Sequence, residues 1–216
     1  VLCPSHRRPE QAKQVLLSEW DTVRTATTQF LVWDQDPTRH LYPEANTHAL
    51  SAESMTARTN VAALDVSARY IGWIADDNRF RTNGWDEKVV RALDEMGGGI
   101  VYGNDVVSPG AKPSHVFMSR EIVQELGWLI HPEMIGTFFD DVWEQLGRFM
   151  GKLRYLPDVT VEHLYTERDN SKIFFHDQQV YEHWLAHECE DQALRCRRAV
   201  RRATSSRQSS SISTAC

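Results

Sequence analysis

The chain has 216 residues, 41% of them hydrophobic and seven of them tryptophan, enough for one large domain with a sizeable core, and this excludes global disorder. Net charge is −6, and since residues 195–216 hold six arginines and no acid, the remainder carries −12, an acidic body that argues against a stable duplex nucleic-acid binder. No apolar run approaches the ~20 residues that span a bilayer, the opening Val1-Leu2-Cys3-Pro4 does not read as a signal peptide, and Cys3, Cys189, Cys196 and Cys216 show no disulfide framework, so a reducing cytoplasm is the expected compartment.

Residues 1–3 read as the end of a strand stopped by Pro4-Ser5. Pro9 opens a helix to about Asp21, with Ala12, Val15, Leu16 and Trp20 near helical spacing. A second strand over 28–33 ends at Asp34-Gln35-Asp36-Pro37, and residues 38–54 read as an irregular polar loop over a site. Residues 57–68 predict a helix with Val61, Leu64 and Ala68 on its apolar face. The next strand, 70–75, breaks abruptly into Asp76-Asp77-Asn78. A helix from Gly84-Trp85-Asp86 carries the stripe Trp85, Val89, Val90, Leu93 and Met96, and Gly97-Gly98-Gly99 ends it before a short strand over 100–102.

The second half is less regular. Residues 113–118 predict a strand, Ser119 a cap for a helix to about Leu126, and 127–137 a loop rich in Trp, His, Pro and Met. Asp140-Asp141 opens a helix with Val142, Trp143, Leu146 and Met150 inward. Residues 153–155 and 159–163 predict short strands, and 173–202 a long helix or helix pair. The Ser-rich segment 204–216 predicts a disordered tail. His183 and His187 share a helical face, but Cys189 is turned elsewhere, a poor fit to zinc-ligand spacing.

The first half therefore alternates strand and helix, which implies an α/β domain with a mainly parallel sheet. In such sheets ligands bind beyond the carboxyl ends of the strands. Asp76, Asp77 and Asn78 lie at such an end, and hard oxygen ligands there suit Mg²⁺ or Mn²⁺ held jointly with substrate phosphates. The same residues would also make an ordinary acidic turn. Neither Gly-x-Gly-x-x-Gly nor a P-loop pattern occurs.

The ordered set Pro4-Ser5-His6-Arg7-Arg8-Pro9, Asp34, residues 70–78 with Phe80-Arg81-Thr82-Asn83-Gly84-Trp85-Asp86, Phe117-Met118-Ser119-Arg120, Asp140-Asp141 and Glu162-His163 resembles nucleotide-sugar glycosyltransferases of the GT-A fold. The likeness is to the large inverting family often called family two, and within it to short bacteriophage and prophage proteins. It spans roughly residues 1–165, with 166–203 as a C-terminal helical extension. It implies a nucleoside-diphosphate sugar donor, an acceptor hydroxyl and Mn²⁺ or Mg²⁺. Donor contacts would fall to Pro4, Ser5, Arg8, Asp34, Arg58, Asn60 and Asp76. Metal would fall to Asp76, Asp77, Asn78 and His163, with either Asp77 leading or Asp76 and Asn78 bracketing the ion. The family's usual third metal acid is an amide here, a departure from the motif. The base would be Asp140 or Asp141, both of which could equally be helix-start acids favoured by the macrodipole. Trp128 and His131, in the irregular loop, are candidate acceptor contacts. Competing readings are a catalytically inactive nucleotide- or carbohydrate-binding module, supported by Asn78, and a nucleotidyltransferase, disfavoured by the glycine-free first loop.

Overall fold

The computed structural model describes residues 1–107, 112–164 and 171–213. Their apolar runs pair into one eight-stranded sheet: β1 (Leu2–Pro4), β2 (Gln29–Trp33), β3 (Thr47–Leu50), β4 (Tyr70–Trp73), β5 (Asn78–Phe80), β6 (Ile100–Asp105), β7 (Val116–Ser119) and β8 (Leu153–His163). Spatial order is β3-β2-β1-β4-β7-β6-β8-β5. The run from β3 to β4 is parallel, as expected, and β6 pairs β8 in parallel. β7 is antiparallel to both its neighbours, and β5 to β8, so the sheet is mixed beyond β4.

Chain direction along the sheet reverses between β1 and β4. The chain leaves β1 towards β2 and β3, then returns to add β4 on the other side. A crevice opens at such a switch point. The Pro4-Ser5 and Ala75-Asp76-Asp77 turns both emerge there.

Alternation along the strands feeds two cores. Leu2, Ile71, Trp73 and Met118 face helices α4 (Arg120–Leu126), α5 (Phe139–Met150), α6 (Ser171–His187) and α7 (Cys189–Ser213). Cys3, Phe30, Val101 and Phe117 face α1 (Pro9–Thr22) and α3 (Trp85–Glu95). There Trp85, first of its helix's apolar stripe, stacks on Phe80 at 4.1 Å.

Five expectations are corrected. The stretch 38–54 contains β3 between polar turns; its exposed His48 and Ala49 leave no alternation to detect. Trp20 is 66% exposed, and α1 buries Glu19 in its place. Helix α2 (Met55–Asp65) leaves Val61 and Leu64 exposed and buries Thr56, Arg58, Thr59 and Ala63, because its inner face looks onto a cleft. The tail predicted as disordered from 204 continues α7 to Ser213; Thr204 donates to the Gly97 carbonyl at 2.8 Å and Arg207 pairs with Glu121 at 2.7 Å. Residues 214–216 lie outside the described residues. The short strands expected at 153–155 and 159–163 are one strand, β8, with a bulge against Gly103 and Asn104.

Candidate functional site

At the switch point a cleft of about 1130 Å³ is lined by the β1 turn, the end of β4, the start of α2, the loop before α5, and His163 at the end of β8. Nine residues singled out in the sequence line it: Pro4, Ser5, Arg8, Arg58, Asp76, Asp77, Asp140, Asp141 and His163. They come from five separate segments.

Ser5 Oγ donates to Asp76 Oδ2 at 2.7 Å, and Arg8 Nη1 to Asp76 Oδ1 at 2.6 Å. Asp76 is buried, and burial raises its carboxyl above the ordinary range against the pull of Ser5 and Arg8. With both oxygens engaged, it is a poor metal ligand and a rigid acceptor. Tyr42 completes this corner through Ser5 Oγ at 2.8 Å and the Arg8 N–H at 2.9 Å.

Asp77 is freer. Its Oδ1 faces His163 Nε2 at 3.2 Å, and His163 Nδ1 faces Asp105 Oδ2 at 3.6 Å. Asp105 and Asp77 together lift His163 to about 9 against burial. Burial acts to raise Asp105, but His163, the Ser114 hydroxyl and the Val107 N–H outweigh it and hold the carboxyl at about 2. Asp77 and His163 would supply two ligands for Mn²⁺ or Mg²⁺ once the ring gives up its proton, with Asp105 orienting it. Among the described residues no group of three His, Cys, Asp or Glu is placed to hold a metal ion, so the remaining positions would fall to ligand oxygens and water. Asn78 is not available: it is fully buried, and its Oδ1 accepts from the Ala75 N–H at 2.7 Å, closing the turn.

Across the cleft, Asp140 and Asp141 share the first turn of α5. Lys112 Nζ holds Asp141 Oδ1 at 2.6 Å. Burial first, and the Asp141 charge second, push Asp140 up to about 6. On the α2 wall, Arg58 is buried with its guanidinium 4.6 Å from the Trp33 ring, and its Nε and Nη1 have no hydrogen-bond partner among the described residues. Burial lowers it to about 10, so it stays cationic at neutral pH.

Four other sequence candidates lie elsewhere. Asp34 is exposed; the buried acid of that turn is Asp36, which accepts from the Arg7 N–H at 2.7 Å and the Thr38 N–H at 2.8 Å. Asn60 Oδ1 accepts from the Leu129 and Ile130 N–H groups, both at 2.9 Å, which ties α2 to the 127–137 loop. Trp128 is buried in the core with its ring 5.4 Å from His131, and burial lowers the His131 pKa. Neither lines the cleft: residues 128–131 fold into the core, while Gly136 and Thr137 at the end of that loop reach the site.

Sequence reading missed Trp33, Tyr42, Asp105, Lys112, Phe138 and Phe174. Asp105 was findable by the rule that flagged Asp76, since it too ends an apolar strand. Asp36 carried an Asx-turn signature in Asp36-Pro37-Thr38.

No protein-family model matches this chain, and no curated protein matches it. Solved structures do. Crystal structures of S. aureus TarS match at 10% identity with TM-score 0.60 over 86% of this chain. The match covers 39% of that protein, so this chain spans well under half its length. TarS 1-349 in complex with UDP-GlcNAc matches at 10% identity, TM-score 0.57, over 80% of this chain and 59% of that one. The mannosyltransferase PcManGT from Pyrobaculum calidifontis, in complex with GDP-Man and Mn²⁺, matches at 12% identity, TM-score 0.60, over 99% and 79%. At these identities the likeness is one of fold: the chain has the α/β architecture of glycosyltransferases of the GT-A type, with a C-terminal helical extension.

Proposed function

We propose that this protein is a glycosyltransferase that moves a sugar from a nucleoside-diphosphate sugar to an acceptor hydroxyl, with inversion and with help from a divalent cation. One observation carries the reading: donor-side residues, an Asp–His pair and a separate carboxylate pair, drawn from distant parts of the sequence, converge on one cleft. Structural neighbours that bind UDP-GlcNAc or GDP-Man support it.

The nucleotide sits against Pro4, Ser5, Arg8 and Arg58, with Asp76 held rigid by Ser5 and Arg8 to accept from a ribose hydroxyl. Arg58 offers two unpaired donor groups from a buried, low-dielectric wall, where a hydrogen bond to an anion is strongest. Asp77 and His163 would hold Mn²⁺ or Mg²⁺, which when bound neutralises charge on the departing diphosphate. Asp140 takes the proton from the acceptor hydroxyl as that oxygen bonds to the anomeric carbon. Its pKa of about 6 suits the role: ionised at neutral pH, yet close enough to accept a proton. Asp141 is neutralised by Lys112 and supports Asp140.

Asn78 does not favour a dead binding module, since its amide oxygen is taken up by the turn. Nucleoside diphosphate release from UDP-glucose, UDP-GlcNAc and GDP-mannose tests the enzyme reading. Wild type should release product from at least one donor. Asp77→Ala and wild type in excess EDTA should both be inactive, with weakened Mn²⁺-dependent nucleotide binding. Full activity in either case removes the metal, and nucleotide binding without turnover of any donor replaces the enzyme with a binding module.

A further inference from the structure

The acceptor side of the cleft is built on a short strap. Residues 135–138 join Met134, which is buried and accepts from Thr56 Oγ1 through its carbonyl, to the first turn of α5. Ile135 and Gly136 are exposed, so the strap has little burial of its own. Yet its geometry is demanding. Phe138 has φ +60°, a left-handed conformation that is unusual and strained for a bulky side chain. Its carbonyl accepts the Val142 N–H at 3.1 Å. Wherever Phe138 goes, the turn bearing Asp140 follows.

What holds the strap is one side chain from the C-terminal extension. Asp177 of α6 is fully buried. It accepts from three consecutive N–H groups: Ile135 at 3.0 Å, Gly136 at 2.8 Å and Thr137 at 2.8 Å, plus the Thr137 hydroxyl at 3.1 Å. His176 Nδ1 lies 2.9 Å from Oδ1, the oxygen that also takes the Ile135 N–H. Helix α6 then grips Phe138 from two sides, with Phe174 at 5.0 Å and Tyr181 at 5.5 Å. Phe174 also lines the cleft.

We propose that Asp177 is a positioning residue for the transfer step: it fixes the 135–138 strap so that Asp140 faces the acceptor and Phe138 with Phe174 forms an aromatic wall beside it. This rests on the glycosyltransferase reading above. The C-terminal extension is thereby part of the transfer machinery, through Asp177 and Phe174.

Strain at functional sites persists only where the surroundings over-determine it. A charged acceptor facing a run of N–H groups does this more firmly than a neutral one, since charge-assisted hydrogen bonds are about twice as strong as neutral ones. Asp86 offers an internal control. It makes the same clamp far from the cleft, accepting from the N–H groups of Arg24, Thr25 and Ala26.

The experiment compares Asp177→Ala, Asp177→Asn and Asp86→Ala with wild type. The readouts are nucleoside diphosphate release from the donor that wild type uses, with water as acceptor, and UDP or GDP affinity with Mn²⁺ by calorimetry. A displacement near 1 Å of the base predicts that Asp177→Ala loses on the order of 10²-fold in kcat, with nucleotide affinity little changed. Asp177→Asn, which keeps an acceptor oxygen, should recover part of that rate. Asp86→Ala should lose comparable stability and keep its kcat. Wild-type kcat in Asp177→Ala overturns the proposal, as does equal loss in both alanine variants or parallel loss of nucleotide binding. A wild type silent on every donor instead sinks the parent reading, and this one with it, and is recognised in the wild-type arm alone.

Discussion

Asp140 and Asp141 differ by one position and by their partners. Lys112 holds Asp141 at 2.6 Å, whereas Asp140 is half-buried with its pKa pushed up to about 6. Successive helical residues are turned by about 100°, so the two cannot point at one acceptor atom. We expect Asp140→Asn to cut sugar transfer by about 10²–10⁴-fold with nucleotide binding nearly intact. Asp141→Asn should cost far less. Steady-state rates of the two variants in parallel decide it, and the reverse ranking would exchange their roles. Asp76, Asp77 and His163 were legible because a carboxylate or imidazole ending an apolar run lies at a strand end whatever the rest of the chain does. Asn60 and His131 were not. Their partners lie far off in sequence or in the core, and a polar residue's partner leaves no mark beside it in the chain.

At the scale of elements, strand β6 carries Asp105 to His163 only because β8 bulges past Gly103. Pairing runs Gly103 with Leu156 and then Asn104 with Thr160. A β-carbon on Gly103 would lie 2.4 Å from the Val159 carbonyl oxygen and 2.8 Å from His115 Nε2. Gly103→Ala should therefore destabilise by roughly 1–3 kcal/mol, seen as a lower urea midpoint at unchanged slope. A wild-type midpoint would mean that the two strands part easily there. Bulges of this kind re-aim side chains beside active sites. The sequence hinted at this one only through a gap between two apolar runs. Helix α2 misled for a related reason. Its apolar Val61 and Leu64 face outward because Arg58 and Thr59 hold the inner face, so periodicity pointed to the wrong side. Helix α7 outran its composition because Val200 anchors it in the core and Thr204 and Arg207 fasten the polar turns that follow.

Across the whole molecule, buried aspartates tie loops to helices, and that sets its response to acid. Burial works to raise Asp86, but the Thr25, Ala26 and Arg24 donors outweigh it and hold its pKa below the ordinary value. A carboxyl depressed in the folded state adds stability in full above the unfolded value of about 3.9, and loses it as pH falls through the folded value. Melting temperature of wild type should thus fall more steeply below about pH 4 than that of Asp86→Asn, which has no such proton to gain. Parallel curves would show that the clamp does not depend on charge. The order of strands has a further consequence, for how the chain comes to function during synthesis. Strand β5, directly after Asp77, has only one neighbour, β8, made some 75 residues later. Non-local pairings form late and slowly. A ribosome-bound chain can therefore complete the corner around Ser5 and Asp76 well before Asp77 meets His163, and the 135–138 strap must wait still longer for α6. On the glycosyltransferase reading proposed above, transfer begins only once α6 has docked behind the last strand, so a growing chain would hold a donor before it can use it.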